Sequence, residues 1–411
     1  MTTQRNFDVV LFGATGFTGK LVAEYLARKV GHRLPWAIAG RSKAKLEAVR
    51  DDLAKIDPLL KDLPIRLADS HDEGALAELV PQTKVVCTTV GPFAKHGRAL
   101  VRACAQHGTS YCDITGEVHF VRASIDENHG RAQETKARIV HCCGYDSIPF
   151  DLGVHLLWHQ AKKRGDKGLA WAKGYAGRTK GGFSGGTLAS MIELIATATK
   201  DKDVRKVLTN PHALDPTPPP RNEIDPFERD QRGVRFDNDL DRWTAPFLMA
   251  GCNTRVVRRS NALVHYGDHF KYNESMSLPK GPKGLVAASA VTAGIASFAA
   301  VAAFSPTRKL LAKAVTAPGD GPSKEARDAG YFETHVVAEG EGGERLRGLV
   351  AGDSDPGYGE TAKMLAESAL CLAQDAAQLD ERYGVLTPAS AMGMHLVERL
   401  RDAGMTFIAN D

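Results

Sequence analysis

The apolar positions of this chain fall first into short solid blocks separated by stretches of helical rhythm. Residues 9–12, 36–39, 65–68, 84–90, 110–114 and 138–143 are brief runs rich in Val, Ile, Leu, Ala and Cys. Runs without alternation suit strands buried on both faces, as in a parallel sheet. Between them, residues 20–29, 42–55, 72–79, 97–107 and 118–136 predict helices, with Leu21, Val22, Tyr25 and Leu26 sharing one face of the first. Six strands alternating with helices by residue 145 predict an α/β fold with a doubly wound parallel sheet. After residue 165 the rhythm changes. Residues 151–162 and 188–200 predict helices, and 169–176 and 266–276 predict strands. Residues 331–338 and 344–351 alternate and are joined by Glu339-Gly340-Glu341-Gly342-Gly343, which predicts a hairpin. Residues 361–378 and 388–402 predict amphipathic helices, and the proline- and charge-rich stretch 212–233 a surface loop.

Chemistry enters where strands end. Residues 8–19 read D-V-V-L-F-G-A-T-G-F-T-G, so Gly13, Gly16 and Gly19 sit on a strand-to-helix turn. A side chain would obstruct the tight turn at Gly13, hold the backbone off a diphosphate at Gly16, and push the helix from the sheet at Gly19. The free N–H groups of the helix start then face the phosphates. The second strand ends in Gly40-Arg41-Ser42, where an NAD site would carry an acid for the ribose hydroxyls. Arg41 and Ser42 suit a 2′-phosphate instead, so NADPH is the expected cofactor. Asp69 ends the third strand, placed to border the adenine. Thr89, Gly91, Pro92 and Phe93 follow the fourth, at the edge that passes the nicotinamide in such folds. Tyr145 and Asp146 follow the sixth; they either face the site or, in the case of Asp146 with Ser147, cap the helix that Pro149 opens. The stretch 181–187, G-G-F-S-G-G-T, suits either an anion or carbonyl at a helix start or close helix packing.

Composition narrows the options. A hydrophobic fraction of 43% and a charged fraction of 25% are those of an ordinary globular protein. The net charge of +4 is small and its cations are scattered, so no nucleic-acid partner is expected. Seven cysteines without a C-x-x-C pair or zinc spacing predict reduced thiols in a cytoplasmic protein and no metal. Residues 1–7 are polar and show no secretory signal. Residues 285–304 complicate this picture, being uncharged and as long as a bilayer is thick, yet mostly alanine. Lys280, Lys283, Arg308 and Lys309 flank them. A helix of a soluble protein, buried or touching lipid, is the preferred reading; peripheral membrane contact is second and a span third.

Together, G-A-T-G-F-T-G, A-G-R-S, T-V-G-P-F with H-G-R-A-L-V-R-A-C, Y-C-D-I-T-G-E and C-G-Y-D-S-I-P-F-D-L-G resemble the saccharopine dehydrogenase-like family, and within it the actinobacterial trans-acting enoyl reductases. S-G-G-T at 184–187, D-P-G-Y-G-E-T-A at 355–362 and L-T-P-A-S-A-M-G at 386–393 extend the likeness over nearly the whole chain. The resemblance implies an NADP-binding Rossmann domain at 1–147, a substrate- or lipid-facing domain at 148–352, and a C-terminal helical return onto the first domain at 353–411. It carries cofactor contact onto Thr15, Phe17 and Thr18 beside the glycines. It also implies a double-bond reduction missing from a modular polyketide synthase. The substrate is then an acyl or polyketide lipid on a carrier protein, in phthiocerol- and phenolphthiocerol-type lipid biosynthesis. A homodimer is among the assemblies the sequence allows.

The reaction expected is reduction of an α,β-unsaturated thioester, with hydride to the β-carbon, a donor for the enolate oxygen and a proton for the α-carbon. Tyr145 is the first candidate donor. Ser184, or the backbone at Gly185-Gly186, is the candidate at the enolate oxygen. Phe298 and Phe304 are expected to line an acyl channel. Two other readings stay open. One is C–N oxidoreduction of an amino acid with several carboxylates, for which Arg178, Arg255, Arg258 and Arg259 are the available cations. The other is a non-catalytic NADP-binding protein on lipid surfaces.

Overall fold

A computed structural model describes residues 5–182, 184–314 and 321–410. Burial on both faces explains its first sheet. In β1 (Phe7–Phe12), Val10 and Phe12 enter one core and Val9 and Leu11 the other. β2 (Trp36–Gly40), β3 (Ile65–Leu67), β4 (Thr83–Thr88), β5 (Ser110–Asp113) and β6 (Arg138–Val140) join it, every pairing parallel. The second sheet holds β7 (Leu169–Lys180), β8 (Arg235–Asp237), β9 (Arg242–Ala245), β10 (Lys271–Leu278), β11 (Tyr331–Gly340) and β12 (Arg345–Gly352). It is mixed, because β7 runs parallel to β10 and antiparallel to β11. β11 and β12 are the predicted hairpin.

Two C-terminal strands escape the sequence pattern. β13 (Gly384–Leu386) extends the first sheet beside β6, and β14 (Thr406–Asn410) extends the second beside β12. The orders are β13-β6-β5-β4-β1-β2-β3 and β14-β12-β11-β7-β10-β9-β8. The chain's return therefore ties into both sheets, while its Thr361–Gln374 helix packs on β1, β4 and β5. The stretch 388–402 is not one helix. Gly393, at φ +48°, divides it into Pro388–Ala391 and Gly393–Asp402. The Ile148–Lys163 helix is buried along most of its length and packs on β7, β11 and β12 of the second sheet and on the Gly393–Asp402 helix.

A helix at Ala250–Val264 also went unseen, because it points Arg255, Arg258 and Arg259 inward and so has no clean apolar face. These guanidinium groups donate to the carbonyls of Leu208, Asn210, Pro211, Leu214, Glu228 and Val385. Buried cations persist only when so paired. They hold the stretch 212–233 in place, with His212, Asp215 and Glu228 buried, so it is not the free surface loop its composition suggests. The apolar segment forms the helix Gly281–Ala303, packed on β9 and β10 and on the Gly185–Lys200 helix, with Gly284, Ala288 and Ala302 buried.

Candidate functional site

The strand order reverses at β1, which lies between β4 and β2, and a crevice opens beyond the carboxyl ends of these strands. A cavity of about 670 Å³ fills it and runs on between the two sheets' loops. The turn after β1 forms one wall. Gly13 has φ +91°, and a Cβ there would lie 2.6 Å from Val90 Cγ2. A Cβ at Gly19 would lie 2.1 Å from the Gly13 carbonyl oxygen. These two glycines are required by the protein itself. Gly16 is different. Its φ of −76° and ψ of 163° suit any residue, and its Cβ would meet no atom of the described residues closer than 3.5 Å. The position is open only toward the cavity.

Gly16 is also the N-cap of the Phe17–Lys29 helix, which has no side-chain cap and no acid in its first turn. Its first N–H groups lack intrahelical partners, and Phe17, Thr18 and Gly19 line the cavity with Thr15. An uncapped helix start beside a cradle that one Cβ would fill fits a diphosphate. Arg41 and Lys45 stand on the same wall, Arg41 exposed and 3.9 Å from Asp69. Two cations there fit a 2′-phosphate. Replacing Arg41 by Ala is expected to raise the Kd for NADPH about tenfold and leave that for NADH unchanged, as read by titration calorimetry. Ser42 and Asp69 themselves do not line the cavity. The Ser42 hydroxyl accepts from Lys45 N (3.5 Å) to cap the Lys43–Ala54 helix, and Asp69 accepts from His71 N (3.0 Å).

Thr89, Gly91, Pro92 and Phe93 line the cavity as expected. Glu117, unassigned by the sequence though inside Y-C-D-I-T-G-E, holds their loop. Its carboxylate accepts from Phe93 N (2.8 Å), Ala94 N (2.9 Å) and the Ser190 hydroxyl (3.1 Å), which ties the loop to the Gly185–Lys200 helix.

Ser184 lines the cavity as the cap of that helix, accepting from Thr187 N (3.0 Å). Phe183, within the same stretch, lies outside the described residues. The Gly185 N–H is taken by the Tyr358 hydroxyl (3.0 Å). Accepting that bond leaves the Tyr358 O–H able to donate into the cavity, which it also lines. Its ring lies edge-on to Phe17 at 4.8 Å, so the C-terminal segment closes on the first turn of the chain. D-P-G-Y-G-E-T-A contains this tyrosine, but nothing in the motif says that it meets Phe17.

Tyr145 departs from expectation. It is buried, its ring packs edge-on against Phe332 at 4.8 Å, and it is not part of the cavity wall. Its neighbour Asp146 is. Burial alone pushes the Asp146 carboxyl up to about 7, with no hydrogen bond from the described residues to hold its charge. Asp146 does not cap the Ile148–Lys163 helix, and neither does the Ser147 side chain, which donates to Asn253 Oδ1 (3.0 Å).

The far end of the cavity is apolar, walled by Met191, Leu194, Ile195, Leu248, Met249 and Phe298. Phe304 is 62% exposed and takes no part. Among the described residues, no Arg or Lys reaches this end. Arg255 is held by the Asp230 carboxylate, Arg258 by the Glu228 carboxylate and carbonyls, and Arg259 by carbonyls, while Arg178 pairs with Glu333.

Comparison with known proteins agrees with this geometry. Residues 9–140 match the saccharopine dehydrogenase NADP binding domain. A Mycobacterium tuberculosis protein provisionally assigned as a trans-acting enoyl reductase is 44% identical, over 98% of this chain and 97% of its own. A trans-acting enoyl reductase of Mycobacterium ulcerans is 39% identical over 99% of both chains. Among solved structures, apo saccharopine dehydrogenase (L-Glu forming) from Saccharomyces cerevisiae superimposes with a TM-score of 0.54 at 12% identity, covering 98% of this chain and 99% of that one. At that identity the likeness is one of fold.

Proposed function

The chain belongs to the saccharopine dehydrogenase-like trans-acting enoyl reductases and is an NADP-dependent oxidoreductase, and from that premise we propose that it reduces the carbon–carbon double bond of an α,β-unsaturated acyl thioester with a long apolar chain. One observation carries this reading: a single cavity joins a phosphate cradle to an apolar wall that no Arg or Lys of the described residues reaches. A substrate with several carboxylates would leave its charges unpaired there. The trans-acting relatives support a substrate presented by another protein, and we assign that role to a carrier domain of a polyketide synthase that makes phthiocerol-type lipids.

NADPH held by the Gly13-to-Gly19 turn with Arg41 and Lys45 would supply the hydride for the β-carbon. Tyr358 donates its O–H to the enolate oxygen, beside Ser184 and the start of the Gly185–Lys200 helix, whose dipole favours negative charge. Asp146 delivers the proton to the α-carbon and regains one from water. A carboxyl with its pKa near 7 does both at neutral pH. Glu117 keeps the Gly91-Pro92-Phe93 loop at its post between the two halves of the cavity.

The test is incubation of the purified protein with NADPH deuterated at C4 and an enoyl thioester of a long-chain acid. The product should be saturated and carry the label at the β-carbon by mass spectrometry. NADPH consumption with an imine substrate and none with enoyl thioesters would overturn the reading.

A further inference from the structure

We infer that the Gly281–Ala303 helix rests on the surface of an anionic membrane, and that the acyl chain enters the cavity from that side. The membrane contact stands on its own; the route of entry rests on the enoyl reductase reading.

The helix is long, apolar and largely uncovered by the described residues. Its 23 residues span about 34 Å. Over its most apolar 18 residues the mean hydropathy is 2.0, and only 11% of that window is buried. Among the described residues it is the one helix long and apolar enough to cross a membrane. A narrow seam at Gly284, Ala288 and Ala302 fixes it to the protein, with Trp243 against Gly284. The opposite side shows Leu285, Val286 and Val301, and the next turns add Phe304 and Leu310, 76% exposed. Apolar exposure continuous over such a length marks a contact surface.

Charge identifies the partner. Between Glu274 and Asp320 the chain carries Lys280, Lys283, Arg308, Lys309 and Lys313 and no acid, with Lys280 paired to Asp241 from outside the stretch. The formal charge of the whole chain is +4, so this stretch carries more than all of it. Cations at both ends of an apolar helix suit an anionic lipid surface. A second copy of the chain would bring the same cations against these. A span would strip the helix from β9, and its Ser289, Thr292, Gly294 and Ser297 are poor material for a bilayer core.

The same helix reaches the cavity. Phe298 is part of the apolar wall, so one helix has lipid-facing residues outside and a cavity-facing ring inside. An acyl chain passing beside Phe298 need not cross water.

Flotation of the full-length protein with phosphatidylcholine vesicles, with and without about 30% phosphatidylglycerol, tests the contact. Binding to the anionic vesicles should exceed binding to the neutral ones at least tenfold. The exposed pair Val286→Glu and Val301→Glu should lower it about tenfold while the Kd for NADPH stays unchanged. A Val286→Trp variant should be quenched by brominated lipid. Equal or absent binding to both vesicles, resistance to alkaline extraction, or a dimer that the glutamate pair dissociates would each overturn the proposal. None of these readouts needs turnover, so a failed enoyl assay leaves the membrane contact to be judged separately.

Discussion

The Asp146→Asn protein is expected to turn over enoyl thioester about a hundred to a thousand times more slowly, with its Kd for NADPH within about twofold of the parent value. Asparagine keeps the size of the side chain and loses the proton. The pH profile separates a proton donor from a structural residue. The protonated form is the active one, so kcat should be level in mild acid and fall as pH rises through about 7, and this fall should vanish in the variant. Stability runs the same way. In the unfolded chain an Asp loses its proton near its ordinary value of about 3.9. In the folded chain Asp146 keeps its proton to about 7. Between those values the folded state holds the extra proton, so stability declines as pH rises. The Asp146→Asn substitution removes that decline, and the variant should melt no lower than the parent at pH 8. A residue needed for folding would show the opposite. Full kcat in Asp146→Asn would exclude it as the acid. Tyr145→Phe serves as the neighbouring control, and near-parental turnover is expected because that ring contacts Phe332 outside the cavity.

The adjacent pair shows where sequence reasoning stops. Tyr145 and Asp146 follow the same strand, and which one faces the cavity depends on the backbone path between β6 and the next helix. Cys142 sits there at φ +64°, a left-handed turn that its residue type does not announce. The first sheet was legible because its strands are unbroken apolar runs, and the glycine turn because its spacing is tied to a strand before and a helix after. The three residues of β13 are too few to show a period. The Ala250–Val264 helix hid behind inward arginines whose partners are carbonyls and carboxylates far along the chain. Tyr358 is a comparable case: its contact with Phe17 joins the two ends of the chain, and only the fold brings them together. The cofactor half of the site is local in sequence, while the substrate half is assembled from distant segments.

That local half can be tested at a single atom. Gly16→Val is expected to raise the Kd for NADPH at least a hundredfold and to leave the melting temperature of the unliganded protein within about 2 °C. The backbone at Gly16 is already in a conformation valine adopts, and its Cβ meets nothing of the described residues closer than 3.5 Å. Folding has no objection to a Cβ there. The new methyl groups would instead occupy the space in front of the uncapped N–H groups at the start of the Phe17–Lys29 helix, where the diphosphate must come. Gly19→Ala supplies the contrast. Its Cβ would lie 2.1 Å from the Gly13 carbonyl oxygen, so the turn itself must open, and both the melting temperature and the affinity should fall. Loss of binding without loss of stability at Gly16, and loss of both at Gly19, would assign the first glycine to the ligand and the second to the fold. Undiminished NADPH binding by Gly16→Val would remove the diphosphate from this turn.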